Sequence, residues 1–119
     1  MTDLEITKAC AEAMGYVVLD ADKPDVIERM GIWCSDIANG RTAFVYDPMG
    51  IRGGQPFDAQ AMALVKKFRI SINAYNPDYQ AWPCVADPEI SGLACTFNAD
   101  LNRAICECVY KLHTAKRVA

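Results

Sequence analysis

The chain holds a single histidine, His113, and none of its six cysteines stands in a C-x-x-C pair. Cys/His metal sites are announced by such close pairs, so nothing here predicts a structural zinc or any other metal. Basic charge is also in short supply. Twelve Lys and Arg against 15 Asp and Glu leave a net charge of -3, whereas a broad nucleic-acid footprint needs a concentrated excess of cations, so nucleic acid is not the expected partner. No run approaches the ~20 consecutive apolar residues of a membrane span. Asp3 and Glu5 stand where a secretory signal would carry basic residues, so neither membrane nor export is expected and the cytoplasm is. The G-x-x-x-x-G-K-[ST] spacing of a phosphate loop is missing, as are internal repeats, low-complexity tracts and linkers.

What is present fits one α+β domain over residues 1–119. Hydrophobic residues make up 52% and charged ones 23%, a balance that excludes a disordered tail and permits one core. In a reducing compartment, Cys10, Cys34, Cys84, Cys95, Cys106 and Cys108 read as thiols of that core. Cys106 and Cys108 lie two residues apart on a helix, a step of about 200° that points them to opposite sides. Cys84 and Cys95 could approach across a turn.

The elements follow from local chemistry. Thr2-Asp-Leu-Glu5 is a capping box ahead of an apolar stripe of Ile6, Ala9, Cys10 and Ala13, and Gly15 is a natural stop. Tyr16 to Leu19 reads as a short strand, and Pro24 to Met30 as one or two helical turns ending at Gly31. Asn39-Gly40 predicts a hairpin between Ile32–Ile37 and Thr42–Tyr46. A loop from Asp47 to Phe57, dense in Gly and Pro, ends at Asp58, which reads as the N-cap of a helix to Phe68 with Gln60, Lys66 and Lys67 facing out. Arg69 to Tyr75 and Gln80 to Val85 read as strands around an Asn76-Pro77-Asp78 turn, Pro83 demoting the second strand to an edge. After a loop at Asp87 to Gly92, Leu93 to Phe97 leads into a final helix, capped by Asn98 or Asp100, with a stripe of Leu101, Ile105, Cys108 and Leu112. The sum is a small antiparallel or mixed sheet of about five strands covered by three helices, a sandwich.

The helix start Phe57-Asp-Ala-Gln-Ala-Met-Ala-Leu-Val-Lys-Lys67, the preceding Asp47-Pro48, the segment Asn98-Ala-Asp-Leu-Asn-Arg-Ala-Ile-Cys-Glu-Cys108 and the first helix from Leu4 to Cys10 together resemble the phage ABA sandwich domain family. The resemblance is strongest from Tyr46 to Leu112 and weakest from Asp20 to Ile37. This sequence differs by placing Met49 to Pro56 between the Asp-Pro and the helix. The resemblance implies small proteins of tailed bacteriophages and prophages acting in the bacterial host cytoplasm, and brings no reaction, substrate or cofactor with it.

Candidate sites stand beside plainer readings. Arg52, Gly53 and Gly54, with Tyr46 nearby, could hold a nucleotide or other small anion, since glycines let backbone amides approach closely; the plain alternative is a loop with a solvated arginine. Tyr75, Asn76, Asp78, Tyr79 and Trp82 at the second hairpin could anchor a protein partner, or simply pack on the sheet. Asp47 and Asp58 are the one carboxylate pair worth testing for acid–base work, and neither Cys34 nor Cys95 has an identifiable base. His113 and the basic end Lys111, Lys116 and Arg117 suit a helix C-terminus. No catalytic residue and no cofactor is therefore assigned. The expected function is binding without catalysis: a phage accessory protein that inhibits a host protein, of the anti-defence or anti-CRISPR type. The alternative is an oligomer that sequesters a nucleotide immune signal or another small anionic ligand.

Overall fold

The computed structural model describes residues 2–19, 25, 32–86 and 95–118. The predicted turns at Pro24 to Met30 and the loop at Asp87 to Gly92, with Leu93 beyond it, lie outside the described residues apart from Asp25. Helix α1 (Asp3–Ala13) starts at the capping box as expected: Thr2 Oγ1 accepts from the Glu5 amide at 3.1 Å, and Glu5 Oε2 accepts from the Thr2 amide at 3.3 Å. Two antiparallel three-stranded sheets follow, in place of the single sheet of about five strands. The first joins β1 (Val17–Val18), β2 (Trp33–Asp36) and β3 (Arg41–Val45) in that order. The predicted hairpin is present, but its bend is a 3-10 turn, Ile37–Asn39, closed by Gly40 in the left-handed region at φ 73°.

Helix α2 (Asp58–Phe68) corrects two expectations. Phe57 occupies the cap without any side-chain bond, and Asp58 lies in the first turn, its Oδ1 accepting from Asn102 Nδ2 at 2.9 Å. Gln60 turns inward: its Oε1 accepts from the Asp47 amide at 2.7 Å and its Nε2 donates to the Val45 carbonyl at 2.8 Å. That side chain mends the ladder where β3 ends.

The second sheet joins β4 (Ser71–Ile72), β5 (Trp82–Val85) and β6 (Cys95–Asn98). Pro83 sits in the central strand and not at an edge. Its missing N–H falls opposite Asn73, one residue past the end of β4, while its carbonyl still accepts from the Asn73 amide at 3.0 Å. The proline thus costs the ladder little.

Helix α3 (Leu101–Val118) starts at Asp100, whose Oδ1 accepts from the Arg103 amide at 3.2 Å; Asn98 instead accepts from the Asp100 amide. It packs against α1, α2, β5 and β6. The expected stripe is therefore too narrow, because Ala104, Cys106 and Val109 are buried as well as Ile105, Cys108 and Leu112. Cys106 and Cys108 do diverge, yet both find an interior, since the helix is covered on more than one side. Thr96 Oγ1 ties β6 to it by donating to the Ala104 carbonyl at 2.7 Å, and Arg103 reaches Asp3 of α1 and Glu107. Among the described residues no helix is long and apolar enough to cross a membrane.

Replacing Gln60 by alanine leaves the Asp47 amide and Val45 carbonyl without their partner. The expected cost is about 1–3 kcal/mol in urea unfolding; a change within about 0.5 kcal/mol, ordinary for a surface position, would show the bridge to be dispensable.

Candidate functional site

The loop from Asp47 to Phe57 already encloses an anion of its own. Asp47 is 2% exposed. Its Oδ1 accepts from the Ile51 amide at 2.8 Å, its Oδ2 from the Arg52 amide at 3.4 Å, and Arg52 Nε lies 3.2 Å from the same Oδ2. The Asp47 carbonyl accepts from Phe57 and Gly50 amides. Gly50, at φ 74°, is required here: a Cβ would come to 3.0 Å from the Gly54 carbonyl. The Arg52 guanidinium lies 4.5 Å from the centre of the Phe57 ring, and Gly53 and Gly54 are exposed beside it. Of the residues proposed for an external anion, Arg52 thus serves an internal carboxylate through its amide and its Nε. Tyr46 is 1% exposed, in the core, and its hydroxyl has no hydrogen-bond partner among the described residues. Burial holds its phenol far above the ordinary value.

Five of the six thiols are core groups, and Cys95, expected among them, lies at the surface. Cys10, Cys34, Cys84, Cys106 and Cys108 are buried and Cys95 is exposed. Cys84 lies opposite Thr96, and Cys95 opposite Val85, so the two cysteines project from opposite faces and cannot bridge. Burial pushes Cys34 up to about 12 and Cys84 up to about 11, and hydrogen bonding with the Cys106 side chain, with burial, raises Cys10, whose Sγ also donates to the Cys106 carbonyl at 3.4 Å. Such thiols are poor nucleophiles. Asp58 is held by Asn102 and Asp47 by its loop, so the structure gives each a positioning duty. His113 Nε2 faces Glu12 Oε2 of α1 at 3.1 Å, and Lys111 Nζ donates to the Cys95 carbonyl at 3.0 Å; the side chains of Lys116 and Arg117 lie outside the described residues.

Among the described residues, two larger clefts are open surfaces of a different kind. At the second hairpin, Asn76 Oδ1 accepts from the Asp78 amide at 2.9 Å and the Tyr79 amide at 3.4 Å, which builds the turn and thrusts Tyr79 outward. Tyr79 is 75% exposed, and Phe97, from β6, is 58% exposed. Tyr79, Gln80, Ala81, Phe97, Asn98 and Ala99 line a groove of about 760 Å³ with no charged side chain in its wall. Tyr75 meets half-buried Trp82 edge-on at 5.5 Å, so Trp82 supports the hairpin more than it presents a surface. Asn76 and Trp82 are thus builders, while Tyr75, Asp78 and Tyr79 are exposed. Phe97 escaped sequence reasoning because a strand residue carries no sign of which face it takes.

The second surface is a cleft of about 440 Å³ between Tyr16, β3 and the start of α2. Tyr16 packs edge-on against Phe44 at 5.1 Å and Tyr46 at 5.7 Å. Arg41 lies with its guanidinium 3.8 Å from the Phe44 ring centre. Burial raises the Tyr16 phenol, Asp36 adds to the rise and Arg41 opposes it. Its residues come from separate segments, so no motif announces it. Among the described residues, no three His, Cys, Asp or Glu side chains gather as a metal site would need. Comparison with known proteins gives no match among family models, curated proteins or solved structures.

Burial on folding keeps the Cys34 and Cys84 thiols protonated. Their contribution is whole below the ordinary thiol value of 9.0 and is lost as pH rises towards 11–12. Urea midpoints should fall across that interval, and Cys34→Ala should flatten the slope; an unchanged slope would remove burial as its cause. Separately, Tyr46→Phe deletes an unpartnered buried hydroxyl and should leave stability level or raise it by about 1 kcal/mol. A lowered Tm would reveal a partner for that hydroxyl.

Proposed function

We propose that this chain acts by binding and not by catalysis, as a phage accessory protein that inhibits a protein of its bacterial host, of the anti-defence or anti-CRISPR type. The observation that carries the reading is the uncharged groove at the second hairpin, where Tyr79 is 75% and Phe97 is 58% exposed. Aromatic rings held outward on a rigid turn bury large areas at low entropic cost, which is how interface anchors work. Two sets of bonds hold the turn: the Asn76 side chain accepts from two amides, and Asn76 and Ala81 exchange backbone bonds at 2.9 and 3.3 Å. Provenance from a phage, and hence a host partner, rests on the resemblance to the phage ABA sandwich domains.

The second reading, capture of a nucleotide signal or other small anion by an oligomer of this chain, is supported by the cleft beside Arg41 and not by the Arg52 loop, whose guanidinium is turned to Asp47.

Tagged protein incubated with bacterial lysate should retain one host protein in stoichiometric amount. Tyr79→Ala and Phe97→Ala should each weaken that complex at least about tenfold, the effect of removing an interface anchor, with stability altered by no more than about 0.5 kcal/mol. Retention unaffected by both substitutions would remove the hairpin groove from the interaction.

A further inference from the structure

We propose that the cleft framed by Tyr16, Arg41, Val45, Phe57, Ala59 and Ala63 is a binding site for a planar aromatic ring carrying a phosphate, such as a nucleoside monophosphate. It rests on the second reading above for the ligand's class and assigns it to a place: it shares no lining residue with the hairpin groove. The volume, about 440 Å³, falls within the roughly 300–1,000 Å³ of small-molecule pockets. Tyr16 and Phe57 are the aromatic residues of its wall, and Ala59 and Ala63 of α2 are the small ones. Aromatic residues in the wall of a cleft accept a flat base by stacking.

The cation is placed in advance. The Arg41 guanidinium lies against the Phe44 face at 3.8 Å, which restrains its plane and orients its forked donors. Across the strand pair its neighbour is Asp36. That carboxylate is buried and accepts from Asn39 Nδ2 at 2.8 Å, so part of its acceptor capacity is spent on the turn. A second guanidinium, Arg52, lies 4.5 Å from the Phe57 ring centre and is committed to Asp47. Phe57 is therefore a wall stiffened by one arginine, while Arg41 is the arginine available to a ligand. Gln60 completes the lining, and its amide is engaged with Asp47 and Val45. Ligand recognition thus falls to stacking plus one guanidinium–phosphate contact, which predicts that ring and anion must be present in one molecule.

The test is titration calorimetry of the intact chain with adenosine 5′-monophosphate, and with adenosine and inorganic phosphate separately. Saturable binding of the monophosphate at one site per chain is expected, with each fragment at least tenfold weaker. Arg41→Gln should weaken the monophosphate at least tenfold at an unchanged Tm of the unliganded protein, and Arg52→Gln should change its affinity less than threefold. Retention of host protein by the hairpin groove should be untouched by Arg41→Gln, which separates this site from the protein-binding reading. Absence of saturable binding by the monophosphate overturns the proposal. So does binding that survives Arg41→Gln, or that is lost in Arg52→Gln alone, which would place the anion on the loop. Equal binding of inorganic phosphate alone would leave a mere anion contact and overturn the aromatic part.

Discussion

The described fold turns on one buried carboxylate. Burying an unpaired charge is prohibitively costly, so Asp47 must be surrounded by donors wherever it goes. It is: two loop amides and the Arg52 side chain meet its oxygens, while Gln60 takes its own amide. Those contacts decide where β3 stops, how the glycine-rich loop folds back and at what position α2 begins. Asn102 of α3 then pins the arrangement by donating to the Pro48 carbonyl and to Asp58, both at 2.9 Å. Charge satisfaction at one residue therefore sets the positions of Phe57 and the helix wall that form the cleft.

Local chemistry was legible in the residues and long-range chemistry was not. The capping box of α1, the hairpin at Asn39-Gly40 and the start of α3 depend on neighbours within a few positions, and each is present. Gln60 was misplaced because helical periodicity scores polarity alone, whereas its partners are the Asp47 amide and the Val45 carbonyl beyond the helix. Pro83 signals an edge by composition, but what matters is the side to which its absent amide would point, and that depends on where β4 ends. The central position of α3 was hidden for a related reason. Alanine and cysteine on its flanks look neutral in a periodicity count, yet small side chains are what allow close packing on several sides.

The same division holds for the candidate sites. Arg52, Gly53 and Gly54 carry a recognisable anion-loop composition, but composition cannot say that Arg52 meets the chain's own Asp47. Tyr79 was found through turn chemistry at Asn76, a local signal. Arg41, Tyr16 and Phe57 come together only through pairing of β1, β2 and β3 and the course of the loop, so no spacing in the sequence links them. The two surfaces differ in kind: one is neutral and aromatic, the other combines aromatic walls with a guanidinium.

One contact bears on how copies of the molecule behave together. Within the second sheet, β6 is an outer strand among the described residues, and Lys111 of α3 donates to its Cys95 carbonyl at 3.0 Å. A neighbouring chain seeking to extend that sheet would need this oxygen and would meet an ammonium group instead. Crowded copies are thereby steered away from ribbon-like stacking along β6, and any assembly they form is directed to broader faces of the molecule.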